Sequence, residues 1–324
     1  MLSIRGLKVR IGAHEIVDIE ALDIAAGRRV GLVGESGSGK SITAMSIAGL
    51  QPREARLSGS IVYEGREFIG LSDREMARIR GAQIGFIPQD PTRALNPTMR
   101  IGRQVGEALR LNTDLGPAAI RRTTLELLGR VQLAQVEQLA QRYPHQISGG
   151  QQQRVLIATA IAARPRLLIA DEPTTALDVT VQNEILRLIV DLSRQDGMSL
   201  LFVSHDLGVV RSVCDDIGVI YGGQLVEFAP SRDIVLGPQH RYTEALIGAN
   251  LGLPEGEEIR RLIGRRFDTI EGTVPSVGRF PGGCRFRNRC RFATGRCAEA
   301  PPSVERAPGH RLNCWNPVGA GGAP

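Results

Sequence analysis

Short apolar runs separated by longer amphipathic stretches set the rhythm of this 324-residue chain. Val30–Gly34, Ile84–Pro88, Leu167–Asp171, Leu200–Ser204 and Ile217–Tyr221 are each bounded by Gly, Pro or polar residues, which predicts short buried strands. Between them the apolar positions take helical spacing. Ile185, Leu188, Ile189 and Leu192 fall at i, i+3, i+4 and i+7, giving one apolar face to a helix across Val181–Arg194. Strands alternating with helices predict a parallel sheet covered on both faces, an α/β fold. From about residue 90 to residue 164 the strand signals vanish. Positions such as Ile120, Thr124, Leu127, Leu128 and Val131 predict a helical subdomain inserted into the α/β core. Near residue 230 Gly, Pro and Arg become frequent, and the rest of the chain reads as a smaller appended region. Its last residues, Pro317–Pro324, are expected to be disordered.

Composition narrows the class. With 42% apolar and 23% charged residues, wholesale disorder is excluded. The best apolar stretch, Val155–Ala163, is interrupted by Thr159 and is too short to span a bilayer. The N-terminal MLSIRGLKVR lacks a secretory apolar core, so a cytoplasmic protein is expected. The net charge is +6, and of the 40 basic residues only Lys8 and Lys40 are lysine. Such a surface could suit nucleic acid or anionic lipid, but an arginine-biased composition is the favoured reading. One Trp, four Tyr and eight Phe are too few for base-stacking platforms, so no nucleic-acid partner is expected.

One motif carries its own chemistry. Gly34-Glu35-Ser36-Gly37-Ser38-Gly39-Lys40-Ser41 fits G-x-x-x-x-G-K-[ST] between the strand Arg29–Val33 and a helix expected over Ser41–Gly49. Glycines let backbone N–H groups curl around a polyphosphate, and the helix N-terminus adds a favourable dipole. Lys40 is placed to reach the β- and γ-phosphates and Ser41 to ligate Mg²⁺. Lysine in a chain that uses arginine nearly everywhere else is consistent with a loop that admits a compact ammonium and not a planar guanidinium. Asp171 and Glu172 end the strand Leu167–Asp171, where Asp171 would hold Mg²⁺ and Glu172 would polarise an attacking water. Ser148-Gly149-Gly150-Gln151, before a helix expected over Gln152–Ala163, is a weaker phosphate cradle. Gln89 and His205 follow strands, and Asp178 lies in Thr175-Ala176-Leu177-Asp178. Each of these three is anonymous alone.

The five cysteines are unevenly placed. Cys214 stands alone, whereas Cys284, Cys290, Cys297 and Cys314 fall near the C-terminus as C-x5-C-x6-C-x16-C. A cytosolic chain keeps few structural disulfides, so the four read as a metal site. Zinc hooks commonly use C-x2–4-C, which is missing, so the spacing tilts toward an iron–sulfur cluster while leaving zinc and unbound thiols open. Arg285, Arg287, Arg289, Arg291 and Arg296 are expected to offset thiolate charge.

Taken together, the order and contexts of these motifs resemble the nucleotide-binding subunit of an ABC transporter. The resemblance runs from residue 1 to about 250. It implies a P-loop NTPase (RecA-like) core with a helical subdomain over about 90–164, an N-terminal antiparallel β region and a C-terminal extension over 251–324. It also implies the roles: Walker A (Gly34–Ser41), Q-loop Gln89, signature Ser148–Gln151 for ATP bound to a partner subunit, Walker B ending at Asp171, catalytic Glu172, D-loop Asp178 and switch His205, with Mg²⁺ on Ser41, Gln89 and Asp171. The signature begins with Ile147 where the family usually has Leu. Where the family places an adenine-stacking aromatic, this chain has Ile11, which offers no π face. Phe86-Ile87-Pro88-Gln89-Asp90-Pro91, Tyr143-Pro144-His145-Gln146, the Walker B surroundings from Ala170 to Thr180, and the terminal cysteines resemble the ATP-binding subunits of dipeptide/oligopeptide importers. Nickel and glutathione importers belong to the same group. That resemblance favours a [4Fe–4S] cluster on the four cysteines, with zinc as the alternative. It implies a peripheral ATPase on the cytoplasmic face of the cell membrane. Its expected partners are a second ATPase subunit of different sequence, two permease subunits and an extracytoplasmic substrate-binding protein. A non-catalytic partner cassette, a nickel or other small-solute importer, and a soluble ABC ATPase of DNA repair or translation are the rival readings.

Overall fold

The structure is a computed structural model, and it describes residues 1–175, 177–249 and 270–319. The strands are β1 (Leu2–Ile11), β2 (His14–Ile24), β3 (Arg29–Val33), β4 (Ala55–Tyr63), β5 (Arg66–Glu67), β6 (Ile84–Ile87), β7 (Leu167–Asp171), β8 (Ser199–Ser204), β9 (Asp216–Tyr221), β10 (Gln224–Pro230), β11 (Val304–Ala307) and β12 (His310–Leu312). The first helices are α1 (Lys40–Ala48), α2 (Asp73–Ile79), α3 (Pro91–Ala94), α4 (Ile101–Asn112), α5 (Pro117–Arg130) and α6 (Val136–Leu139). They are followed by α7 (Gly149–Ala160), α8 (Val179–Gln195), α9 (Leu207–Val213), α10 (Ser231–Leu236) and α11 (Arg241–Ala249).

These elements form two compact units. The first comprises Met1–Ile24, Arg29–Ile69 and the described part of Val203–Pro324; the second comprises Ala25–Arg28 and Gly70–Phe202. In the first unit the strand order is β5-β4-β1-β2-β10-β9-β3, with β12 joined to β10 and β11 to β12. β1 runs antiparallel to β2 and β4, whereas β3 and β9 are parallel. Leu2, Ile4, Leu7 and Val9 of β1 are all buried, although Ile4 and Leu7 differ in parity. An irregularity in the pairing with β4 between Arg5 and Lys8 absorbs the extra residue, so both halves of the strand face the core. The expected N-terminal antiparallel region is thus a long hairpin flanked by β4.

In the second unit the fully buried β7 lies between β8 and β6, parallel to β6. Its helices α3–α7 fill the interval in which strand signals vanish. Leu127 and Leu128 of α5, Val105 and Leu109 of α4, and Val155 and Ile157 of α7 make its helical core. α8 buries Ile185, Leu188, Ile189 and Leu192, the face read from the spacing.

Two expectations about extent change. The signature glycines lie inside α7, which begins at Gly149 and ends at Ala160. Glycine's poor helix propensity favours a later start. Ser148 offsets it by accepting from the Gln151 amide, while the Gln151 side chain returns to the Ser148 amide, a capping box. The extension also returns to the sheet, since Glu227 and Phe228 of β10 pair with Leu312 and Arg311 of β12. The division at residues 250/251, most of the expected disordered tail, and Ala176 lie outside the described residues.

Candidate nucleotide site and cysteine cluster

Walker A lies in the first unit. The buried strand β3 delivers Gly34, and α1 starts at Lys40 behind Gly39, whose φ of 96° is left-handed and costs a Cβ-bearing residue strain. A Cβ on Gly34 would collide with the Ile220 carbonyl, so glycine is required where the loop leaves the sheet. No side chain caps α1, which leaves its first amides to the loop. Lys40 is only 4% exposed, and its ammonium donates to the carbonyls of Gly34 at 2.8 Å and Glu35 at 3.0 Å. Ser36, Gly37 and Ser38 complete the loop, with Ser38 donating its amide to the Glu35 carbonyl. Ser41 comes next, in the first turn of α1. His205, also in this unit, is exposed just past β8, where Asp206 caps α9 through the amides of Gly208 and Val209. Ile11 ends β1 opposite His14, half-exposed at the hairpin turn.

The second unit holds the remaining motifs. Asp171 is buried at the end of β7, and Glu172 comes next with φ at 45°, a left-handed conformation that is strained for glutamate. The Gln89 side-chain amide donates to Glu172 Oε2 at 3.1 Å, and the Thr175 hydroxyl donates to the same oxygen at 3.0 Å. Gln89 and Glu172, 83 residues apart, are therefore brought together. Asp178 caps α8 by accepting from the Val181 amide at 3.0 Å. A Cβ on Gly150 would press on Val181 Cγ1 at 2.8 Å, so the second signature glycine permits the close approach of α7 to the start of α8.

The four C-terminal cysteines, again in the first unit, are all free thiols. Burial pushes the Cys284 thiol up to about 11, and the nearby Cys297, Cys314 and Cys290 add to it. Cys290 and Cys314 are raised too, chiefly by burial. The four thiols thus lie within one another's fields, although they are spread widely along the sequence. Asn316 donates to Cys297 Sγ at 3.6 Å. Among the described residues, however, no three His, Cys, Asp or Glu side chains stand where they would hold a metal ion. Tetrahedral zinc, with Zn–S near ~2.3 Å, needs sulfurs about 3.8 Å apart, and that arrangement is missing.

The arginine expectation needs correction. Arg289 is committed to Glu35 and Arg285 to Glu15, while Arg291 and Arg296 lie over the rings of Phe292 and Trp315. The cation that acts on Cys290 and Cys314 is Arg241, at the start of α11. It lies over Phe292 at 3.7 Å and donates to the carbonyls of Asn316 and Pro317. Two further residues receive no role from the motifs: Tyr242, whose hydroxyl receives the Glu35 amide at 2.9 Å, and Thr175 as a partner of Glu172. No spacing rule pairs Tyr242 with Glu35 across so much sequence. Thr175, three residues beyond Glu172, is the one discoverable from local sequence.

Comparison with known proteins agrees with this assembly of parts. Residues 18–175 match the ABC transporter family, and residues 226–297 match the oligopeptide/dipeptide transporter C-terminal region. The oligopeptide transport ATP-binding protein OppD of Escherichia coli (strain K12) is 39% identical, over 98% of this chain and 94% of its own length. A probable peptide ABC transporter ATP-binding protein of Sinorhizobium fredii is 43% identical over 90% of this chain and 86% of its own. Among solved structures, the ATP-binding cassette MJ0796, in a dimeric post-hydrolysis state with ADP and Pi, matches with a TM-score of 0.64. It is 29% identical, covering 72% of this chain and 99% of that one. The chain therefore belongs to the ATP-binding subunits of ABC transporters, ATPases by family, in the group that carries the oligopeptide/dipeptide transporter C-terminal region.

Proposed function

We propose that this chain hydrolyses ATP to power import of short peptides. The observation that carries hydrolysis is Glu172 at the end of β7, its carboxylate fixed by Gln89 and Thr175. A carboxylate so held is oriented to polarise a water, and Gln89 ties its position to the segment after β6. Lys40 and the amides of Gly34–Ser41 bind the phosphates. Ser148–Gln151 serve a nucleotide bound to the partner subunit, Asp178 acts in the D-loop, and His205 acts at the γ-phosphate. Ser41, Gln89 and Asp171 are the proposed Mg²⁺ ligands, and the ion bound there would screen phosphate charge. The peptide reading is supported by the C-terminal match over 226–297 and by relatives named as oligopeptide or peptide transport proteins. Among the described residues no helix is long and apolar enough to cross a membrane, which suits a peripheral subunit on the cytoplasmic face. Its partners would be a second, different ATPase subunit, two permeases and an extracytoplasmic binding protein. Reconstituted with those partners, the complex should show ATP hydrolysis stimulated by a loaded peptide-binding protein. Stimulation by nickel alone would redirect the substrate.

The [4Fe–4S] reading of Cys284, Cys290, Cys297 and Cys314 belongs to the same proposal. Its support is the matched oligopeptide/dipeptide transporter C-terminal region, which carries Cys284, Cys290 and Cys297; the four free thiols do not stand as a metal site in this structure, so ligation would have to draw them together. The thiols of Cys284, Cys290 and Cys314, pushed up by burial, would have to release protons on ligation, so loading should improve as pH rises. Anaerobically purified chain should contain about four irons and absorb near ~400 nm. A colourless sample with one zinc would overturn the assignment.

A further inference from the structure

The Walker A loop is held from outside its own motif. Glu35 is the first variable position after Gly34, and its carboxylate forms a two-pronged pair with Arg289, Nη1 to Oε2 at 2.7 Å and Nη2 to Oε1 at 3.1 Å. The Arg289 side chain is 6% exposed. It also donates to the carbonyls of Glu271 at 2.9 Å and Gly272 at 3.2 Å, and to the Tyr221 hydroxyl at 3.4 Å. The Glu35 amide donates to Tyr242, and the Glu35 carbonyl receives the Lys40 ammonium. Every polar group of Glu35 therefore has a fixed partner, and one of those partners is the lysine that defines the motif.

Arg289 rides on the turn that joins two of the cysteines. The Arg287 amide donates to the Cys284 carbonyl, the Arg289 amide to Phe286 and the Cys290 amide to Arg287. Cys284 itself is tied to the Cys297 carbonyl at 3.0 Å. Phe286, in the same turn, is buried against Tyr221 and Tyr242 with ring centroids 5.2 and 5.3 Å away. The geometry of the cysteine turn thus dictates where the guanidinium meets Glu35. Bidentate pairs tolerate little displacement, because both N–H···O bonds must stay aligned.

We propose that the cysteine-bearing segment sets the nucleotide affinity of the Walker A loop, with Arg289 as the positioning residue that holds Glu35 and, through the Glu35 carbonyl, Lys40. The inference rests on the reading of Gly34–Ser41 as the phosphate site. It makes the extension a regulator of the ATPase: disturbing the turn between Cys284 and Cys290 is felt at the phosphates.

The test is calorimetric titration of the full chain with MgATP, well below its melting temperature. The variants are Arg289→Gln, Arg289→Lys, Glu35→Gln, Cys290→Ser and the double variants Glu35→Gln/Arg289→Gln and Cys290→Ser/Arg289→Gln. Arg289→Gln and Glu35→Gln should each weaken binding about fivefold or more, within the range of directly contacting residues. Their combination should be no worse than the weaker single variant. Arg289→Lys, which keeps the charge but loses the fork, should recover part of the loss. Cys290→Ser should weaken binding alone and add nothing once Arg289 is changed. A staple that merely stabilised the fold would lower the melting temperature and leave these dissociation constants within about twofold of wild type, and that result overturns the inference. Multiplying effects in the double variants overturn it too. Should Arg289→Gln not fold, Arg289→Lys and Glu35→Gln decide by the same criterion. Lys40→Ala, run alongside, separates the two readings: if it weakens binding by about tenfold or more while the Arg289 and Glu35 variants do nothing, the phosphate site stands and the inference falls. If Lys40→Ala has no effect, both fall.

Discussion

Acidification from about pH 7.5 to about 5 should cost the first unit about 2 kcal/mol through one residue, His240. The ring is 1% exposed, and burial drives its pKa down to about 4 against the opposing charge of Glu227. Its Nδ1 accepts the Tyr242 amide at 3.0 Å, so the folded ring is neutral with its proton on Nε2. In the unfolded chain the same group titrates near ~6.5. Between those values the unfolded state binds a proton that the folded state refuses, so stability rises with pH. The contribution is fully present above about 6.5 and is lost as pH falls toward about 4. At about 1.4 kcal/mol per unit, the roughly 1.5 units between 6.5 and 5 give about 2 kcal/mol, and the whole interval gives about 3 kcal/mol. Glu227 works in the same direction at still lower pH. Burial would raise its pKa, but hydrogen bonds from His310, Thr243 and the amides of Gln239 and His240 outweigh that and hold it below the usual value. The single tryptophan, Trp315, lies in this unit and donates to the Glu299 carbonyl, so its fluorescence reports locally. Urea titrations followed by Trp315 across that pH range should show the midpoint falling in wild type. In His240→Gln, whose amide oxygen can still receive the Tyr242 N–H but cannot take a proton, the fall should shrink by about 2 kcal/mol. An unchanged pH dependence in the variant would refute the reasoning, because the protons would then be binding elsewhere.

Three predictions concern the nucleotide site. Glu172→Gln keeps an oxygen for Gln89 and Thr175 but loses the base, so nucleotide should still bind while single-turnover hydrolysis falls about 100-fold or more, with the partner's own site silenced. Lys40→Ala should weaken MgATP binding by about 1.5–3 kcal/mol, the worth of a hydrogen bond to a charged group, as read by titration. Ile11→Tyr should tighten ATP binding by about 0.5–1.5 kcal/mol relative to wild type. Unchanged affinity there would mean that another residue covers the base.

Legibility in the sequence depends on range. The Walker A loop can be read because its requirements are local: a buried strand, glycines where a Cβ would strike the Ile220 carbonyl or force a left-handed turn, and a lysine six residues after Gly34. The strands β3, β6, β7, β8 and β9 lie close to their expected bounds, since each is a contiguous apolar run ended by a turn signal. The start of α7 departs from expectation because glycine propensity and the Ser148 capping box pull in opposite directions, and the cap wins. The partners of Glu35 are invisible in sequence. Arg289 is one of several arginines between the first and third cysteines, and nothing in its neighbours tells it from Arg287 or Arg291. Only the turn from Cys284 to Cys290 and the tyrosines beneath it select which guanidinium faces the loop.

Glu172, the proposed base, sits on a left-handed backbone. A glutamate at φ 45° costs the fold on the order of 1 kcal/mol that glycine or asparagine at the same place would largely avoid. Packing does not require a carboxylate there: Glu172 is not part of the buried core, and β7 is complete at Asp171. What the strained backbone achieves is direction. After a straight, fully buried strand the next side chain would alternate to the opposite face, whereas the left-handed residue re-aims the chain so that one carboxylate oxygen meets both Gln89 and Thr175. The left-handed backbone is shared with Glu64, Gln132, Gln135 and Arg164, so what sets Glu172 apart is the pair of donors that meet its carboxylate. The combination of strain, two convergent donors on one oxygen and a neighbouring buried Asp171 is what a site needs when it must hold a base still while a γ-phosphate is attacked.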